Sequence, residues 1–265
     1  MAAIVDAHAH IGSWPSVRKS EGMVLSSMDK YGIAFSIVSD CDCSEFDDDP
    51  SHPDHHVTAY QGLKMTLRFV RAHPGRLGAA VWIEPHRERL SPELVDLISK
   101  NRGLIYAVKF HPYESRMRVN DKRLIPYLEM ARSFGLPVIV HTAADRWSDI
   151  RYLSEVAKKY PDLNFVAAHM QLCSDNKAGL KALRDNPNIY GDTAWVKMEV
   201  ARKALVSIGG DKVMFGTDNP IDGPDTYSNP MYQEYFDNAE GLPKRLYRKL
   251  MAGNAIKLFK LPLRP

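Results

Sequence analysis

The sequence predicts an α/β fold built as a closed ring of eight parallel strands, on three observations. Short apolar runs alternate with helix-period segments eight times over; the length of 265 residues suits that architecture; and no glycine-rich phosphate loop follows any strand. An open doubly wound sheet would share the alternation, but the missing phosphate loop removes the main positive argument for it.

The first strand is residues 4–11, apolar and alternating up to Gly12, and Trp14 and Pro15 then open a loop. A helical pattern over 22–31 is ended by Gly32, and a second apolar run covers 34–39. Residues 40–56 show no periodicity and carry Asp47, Asp48, Asp49, Pro50 and Pro53. They are expected to form a loop longer than usual for this class, either a lid or an exposed surface segment. Helices follow over 57–72, 91–101, 121–134, 147–159, 177–185 and 197–208, with strands at 77–83, 105–110, 138–141, 164–168, 189–191 and 213–216. Ser91 and Pro92 read as a helix cap and first residue, and Gly135 as a stop. With a closing helical region over 244–259, the expectation is a single (β/α)8 TIM-barrel domain over residues 1–265.

Composition narrows the function. With 45% hydrophobic and 25% charged residues, neither a disordered nor a fibrous chain is indicated. A net charge of +3 from 35 basic and 32 acidic residues, with no basic stripe, argues against a nucleic-acid partner. Cys41, Cys43 and Cys173 are odd in number and two of them sit two residues apart, so no disulfide framework is expected and a reducing compartment is the simplest inference. The first strand begins within a few residues of Met1, and no apolar run approaches bilayer length. The expectation is a cytoplasmic protein with a small-molecule substrate and no membrane partner; a homo-oligomer is left open.

The chemistry lies where strands end, since in such barrels the carboxyl ends carry the active-site loops. His8 and His10 are two apart on the first strand and share a face, a rigid pair suited to a metal ion. Lys109 and His111 end the fourth strand, His141 the fifth, His169 the sixth and Asp192 the seventh, while the eighth leads through Thr217 to Asp218. His52, His55, His56, His73 and His86 lie elsewhere. Any one strand-end histidine also reads as a buried imidazole bonded to backbone, but the set with its carboxylate reads as a metal site.

The residues around these positions carry a family likeness. Asp6-Ala7-His8-Ala9-His10, the run ending Val140-His141, the run ending Ala168-His169, and Phe215-Gly216-Thr217-Asp218 resemble the amidohydrolase superfamily. Gly253-Asn254-Ala255 with Leu258-Phe259 is similar to the terminal helix of its branch that includes aminocarboxymuconate-semialdehyde decarboxylase. The resemblance implies that His8, His10, His141 and Asp218 bind one divalent ion per chain, zinc first among candidates, with manganese, iron or cobalt also suited. It implies Asp218 as proton acceptor and His169 as general acid/base or electrophile. A second metal is expected only if Lys109 is carboxylated; the favoured reading instead has Lys109 and His111 line the pocket against an anionic substrate, and a bland one pairs Lys109 with Glu84. Arg146, among Arg116, Arg118 and Lys197 on the same rim, is the candidate for binding a substrate carboxylate.

Cys41 and Cys43, and His55 with His56, are expected to be ordinary loop residues, Asp192 an orienter or a substrate contact, and the Tyr227, Tyr232 and Tyr235 region a pocket wall. The expected activity is metal-dependent hydrolysis of a small lactone, amide or ester carrying an acid group. Non-oxidative decarboxylation is the runner-up, and a barrel that binds a metabolite or metal without turnover is a third reading.

Overall fold

Eight strands lie in one parallel sheet in chain order: β1 (Ile4–Ile11), β2 (Ile33–Asp40), β3 (Leu77–Trp82), β4 (Ile105–Phe110), β5 (Val138–Ala143), β6 (Phe165–Leu172), β7 (Ile189–Asp192) and β8 (Val213–Met214). The structure is a computed structural model describing residues 3–13, 20–46 and 57–264. The two edges of the sheet meet: the Ala7 N–H donates to Phe215 O (3.0 Å), the His10 N–H to Asn219 O (2.7 Å), and Ala9 bridges Asn219 in parallel sense. The sheet therefore closes into a barrel, the arrangement that leaves no unpaired edge.

Seven helices connect consecutive strands: α1 (Ser20–Tyr31), α2 (Ala59–Ala72), α3 (Pro92–Lys100), α4 (Ile125–Phe134), α5 (Ile150–Lys159), α6 (Lys177–Asp185) and α7 (Met198–Ser207). Local sequence sets their ends. Thr58 and Gln61 form a capping box at α2, Ser91 accepts from the Leu94 N–H ahead of α3, and Gly135 closes α4 at φ 60°. One apolar cluster, with Phe35, Ile37, Ile139, Val166 and Met214, packs with residues of the terminal helix, while a larger one joins the strands to the surrounding helices. Among the described residues no helix is long and apolar enough to cross a membrane.

Three sequence expectations are corrected. The helix expected over 121–134 is divided, a 3-10 turn at Lys122–Leu124 leading into α4, whose first turn carries Pro126. The eighth strand, expected to run to residue 216, stops at Met214: the Phe215 N–H turns to Leu250 O (2.9 Å) and the Gly216 N–H to Thr193 Oγ1 (3.0 Å), away from the ladder. The region after Asp218 forms a further helix, α8 (Pro230–Asp237), before α9 (Lys244–Arg248), a π turn at Lys249–Gly253 and α10 (Asn254–Phe259). In the long loop, Cys41–Cys43 form a 3-10 turn. Residues 47–56 of the proposed lid, with Asp47, Asp48, Asp49, Pro50, His52, Pro53, His55 and His56, lie outside the described residues, as do Trp14 and Pro15.

Candidate metal centre and active site

Alternation along parallel strands brings the polar strand ends to one mouth of the barrel, in layers. Residues two apart share a face but sit about 6.6 Å apart along the strand axis. So His8 and Lys109 form a deeper layer, while His10 and His111 stand above them and line the cavity at the mouth.

Three donor atoms converge. His10 Nε2 lies 3.2 Å from His8 Nε2 and 2.9 Å from Asp218 Oδ1, and His8 Nε2 lies 3.0 Å from the same carboxylate oxygen. Partners on the outer side of each ring decide what the inner atoms present. His8 Nδ1 is 2.9 Å from Asp192 Oδ2, which can only accept, so Nδ1 carries the proton and Nε2 a lone pair. His10 Nδ1 faces the Ser39 hydroxyl at 3.1 Å, a group that donates or accepts and so is compatible with the same tautomer. With both rings in that tautomer, two imidazole lone pairs and a carboxylate oxygen point at one place, an arrangement that repels itself unless a cation or a ring proton sits there. The donor set of two nitrogens and one oxygen fits a divalent ion, with Asp192 fixing the His8 ring from behind.

Lys109 now supplies positive charge at that point. Its ammonium is 2.6 Å from His8 Nε2 and 5.8 Å from the centre of the Trp82 ring. This corrects the expectation that Lys109 lines the pocket: it is 1% exposed and lies one layer below the cavity wall that His111 occupies. The charges acting on it are Asp218 and Asp192, not Glu84; burial nevertheless lowers its pKa to about 8.

The neighbouring groups are biased in the same way. Burial and Lys109 both oppose a proton on His8, but Asp192 and Asp218 outweigh them and raise its pKa to about 9. Protonation of His8 and its contact with Lys109 are alternative ways of placing positive charge at one point. Burial lowers His10 to about 4 and His169 to about 4, and pushes His111 and His141 well below the usual imidazole value. Burial alone would raise Asp218 and Asp192; the surrounding imidazoles, His8 foremost, outweigh it and hold both below the ordinary carboxylate range.

His169 is held by strain that the fold offsets with hydrogen bonds. His169, Met170 and Gln171 have φ of 65°, 45° and 77°, a left-handed run rare outside glycine. Asn176 Nδ2 donates to His169 O (3.1 Å) and Met170 O (2.9 Å), the Gln171 N–H donates to Thr142 Oγ1 (2.9 Å), and the His169 N–H donates to Asp192 Oδ1 (3.0 Å). His169 Nδ1 lies 3.1 Å from Ala194 O and must donate to it, which leaves Nε2 as an acceptor. Close packing at the back of the site requires Gly216, where a Cβ would meet His8 Cβ at 3.0 Å and Asp192 Cβ at 3.2 Å.

His141 is close without joining the three converging donors. Its ring stacks on His111, with centroids 3.8 Å apart, and stands edge-on to His169 at 4.7 Å. Arg146 does not line the cavity. It is exposed, lies over the Trp147 ring at 4.5 Å and lines an adjoining depression that shares Tyr113 and Asp145 with the cavity. Arg116, Arg118 and Lys197 are likewise exposed, the first two lying over Phe46 and Tyr152. The three tyrosines are core, not pocket wall: their hydroxyls donate to Asp6 Oδ2 (Tyr227, 2.7 Å), Thr217 O (Tyr232, 2.7 Å) and Val196 O (Tyr235, 2.8 Å), securing the segment that carries Asp218.

Sequence reasoning missed Trp195, whose Nε1 donates to Asp218 Oδ2 at 3.0 Å, and Trp82, which stacks on His111 at 5.6 Å. Both could have been found by reading β3 and β7 to their ends for aromatic as well as titratable residues.

The amidohydrolase family model matches residues 5–261. No curated protein sequence matches the chain significantly. Among solved structures, it is similar to 5-carboxyvanillate decarboxylase of Sphingomonas paucimobilis, at 13% identity and a TM-score of 0.71, covering 98% of this chain and 100% of that one. It is similar at 16% identity and a TM-score of 0.67, over 98% and 100% of the two chains, to a probable 2-pyrone-4,6-dicarboxylic acid hydrolase of Acinetobacter baumannii with citric acid bound. A 5-carboxyvanillate decarboxylase of Novosphingobium aromaticivorans complexed with manganese matches at 13% identity and a TM-score of 0.72, over 98% and 96%. At these identities the likeness is one of fold.

Proposed function

Because the chain belongs to the amidohydrolase family, we propose that it is a metal-dependent hydrolase that uses the His8, His10 and Asp218 cluster to act on a small carbonyl compound such as a lactone, amide or ester. The observation that carries this reading is the convergence of His8 Nε2, His10 Nε2 and Asp218 Oδ1 within 3.2 Å of one another. His141, one ring away through His169, is the proposed fourth ligand. A divalent ion held there would supply Lewis-acid polarisation of a carbonyl and lower the pKa of water to about 7.

The chain's own groups do the rest. Asp218 takes the proton of the attacking water and returns it to the leaving oxygen or nitrogen; its Oδ2 is fixed by the Trp195 indole, so the carboxylate stays in place between the two transfers. His169 acts as a base at Nε2, since Ala194 O holds its proton at Nδ1. Lys109 is proposed as a charge partner of His8 in the deeper layer, and its carboxylation is what would supply the bridging carboxylate for a second ion. Zinc is the proposed metal, because nitrogen-rich donor sets favour it.

A second reading, decarboxylation, is favoured by a specific feature: the cavity above the cluster is walled largely by aromatic and apolar side chains, and desolvating a substrate carboxylate promotes loss of carbon dioxide. One experiment separates the two. Purified protein is analysed for metal and assayed in parallel on lactones, amides, esters and carboxylated aromatics. We expect about one equivalent of zinc and acid release from an ester-type substrate; carbon dioxide release instead supports the second reading, and a metal-free protein with full activity rules out both.

A further inference from the structure

The cavity at the barrel mouth has a volume of about 480 Å³, within the range that encloses small molecules. Trp82, His111 and His141 wall one side from three neighbouring strand ends, and their rings lie nearly parallel in sequence, 7° and 20° apart. Trp195 and Ile221, after β7 and β8, stand across the mouth. A slab of stacked rings facing a second aromatic suits a flat ring in between. Among the described residues, the charged side chains lining this cavity are Asp218, Glu114 and Asp145, all acids.

Of these, Asp218 belongs to the cluster and Glu114 is engaged by the Ser44 hydroxyl at 2.8 Å. Asp145 differs. Its Oδ1 accepts from the Trp147 N–H (2.7 Å) and the Ser148 N–H (2.9 Å), which pins the carboxylate. Among the described residues its Oδ2 has no hydrogen-bond or ion-pair partner. Asp145 also borders the adjoining depression lined by Arg116 and Arg146, whereas on the cavity side its pinned carboxylate is a preorganised acceptor: it rewards a donor and repels a second anion.

We propose that Asp145 is the specificity-determining residue of this cavity, receiving an N–H donor, an ammonium above all, on an aromatic ligand whose opposite end presents one carboxylate or carbonyl to the cluster. A ligand with a second carboxylate at the Asp145 end is rejected. The inference rests on the hydrolase or decarboxylase reading only for which end faces the cluster.

The test compares 4-(aminomethyl)benzoate with benzene-1,4-dicarboxylate, similar in size and opposite in charge at the distal end. Binding to the full-length, zinc-loaded protein is measured by calorimetry, with bound metal determined on the same sample. The amine is expected to bind at least about tenfold more tightly. Asp145→Asn keeps an oxygen for the two backbone donors but places an amide N–H₂ at the free position, so the preference should vanish or invert while benzoate affinity and metal content stay within about twofold. Asp145→Ser, which retains a capping oxygen without the charge, should also abolish the preference and serves if the first variant folds poorly. Equal affinities in the wild type, or an unchanged preference in both variants, overturn the proposal. The two readings fail separately: metal binding and turnover without the preference remove only the role of Asp145, whereas the preference in a protein that takes up no metal removes only the metal-dependent activity.

Discussion

Asp192 and Asp218, at the ends of β7 and β8, and Asp40 and Glu84, at the ends of β2 and β3, are acids on the same rim of one barrel. Asp192, Asp40 and Glu84 are at most 1% exposed, and the Asp218 side chain is 13% exposed. Their proton affinities nevertheless move in opposite directions. Asp192 and Asp218 face His8, His10 and His169 and are held ionised. Burial raises Asp40 to about 8, with Asp42 adding to it, and raises Glu84 to about 9, with Glu88 and Glu45 adding to it. Burial is common to both sets, so it cannot be what separates them. What differs is the partner: imidazoles on one side of the mouth, other acids on the other.

The largest effect is expected for Asp218→Asn, which removes the proposed proton acceptor but keeps the shape: kcat should fall by about 10³-fold or more with little change in melting temperature. Retained turnover would show that an ionised acid at this place does not matter. Asp192→Asn comes next. It leaves His8 without the anion that sets its tautomer, and metal affinity, followed by competition with a chelator, should weaken about 10–100-fold while the fold persists.

The other set should report on stability and not on catalysis. A carboxylate whose pKa is raised in the folded state contributes stability that is complete below its unfolded value, near 4, and is lost as pH rises through the folded value. Melting temperature should therefore decline between about pH 5 and pH 9 through Asp40 and Glu84. Asp40→Asn should flatten that decline, recovering about 1–3 kcal/mol at pH 9 in denaturant titrations, and an unchanged slope would mean that Asp40 is ionised without penalty. The smallest effect is expected for Arg146→Ala, an exposed rim cation belonging to neither set, which should alter kcat/KM less than about twofold.

Much of this was legible before any coordinates. All eight strands and the seven helices between them follow from apolar periodicity and from caps such as Ser91 and Gly135, since those signals are local. His8, His10 and Asp218 stand out because a parallel barrel sends every strand end to one mouth. What escaped the sequence is depth and direction. Lys109 and His111 are indistinguishable as neighbours on a strand, yet one is buried against His8 and the other lines the cavity. Arg146 and Asp145 are adjacent, and the turn pinned by Asp145 leaves the carboxylate on the cavity and the guanidinium on Trp147.

The amino-acid sequence by itself determined the order of elements, the closing of chemistry onto one rim and the residue types available there, because periodicity and strand polarity are properties of short stretches. Only the tertiary structure decided which of those residues meet. The pairing of His8 with Asp192, the indole that steadies Asp218 and the tautomer of His169 depend on groups between 23 and 184 residues apart, or on a single backbone carbonyl, and such contacts exist only once the barrel has closed.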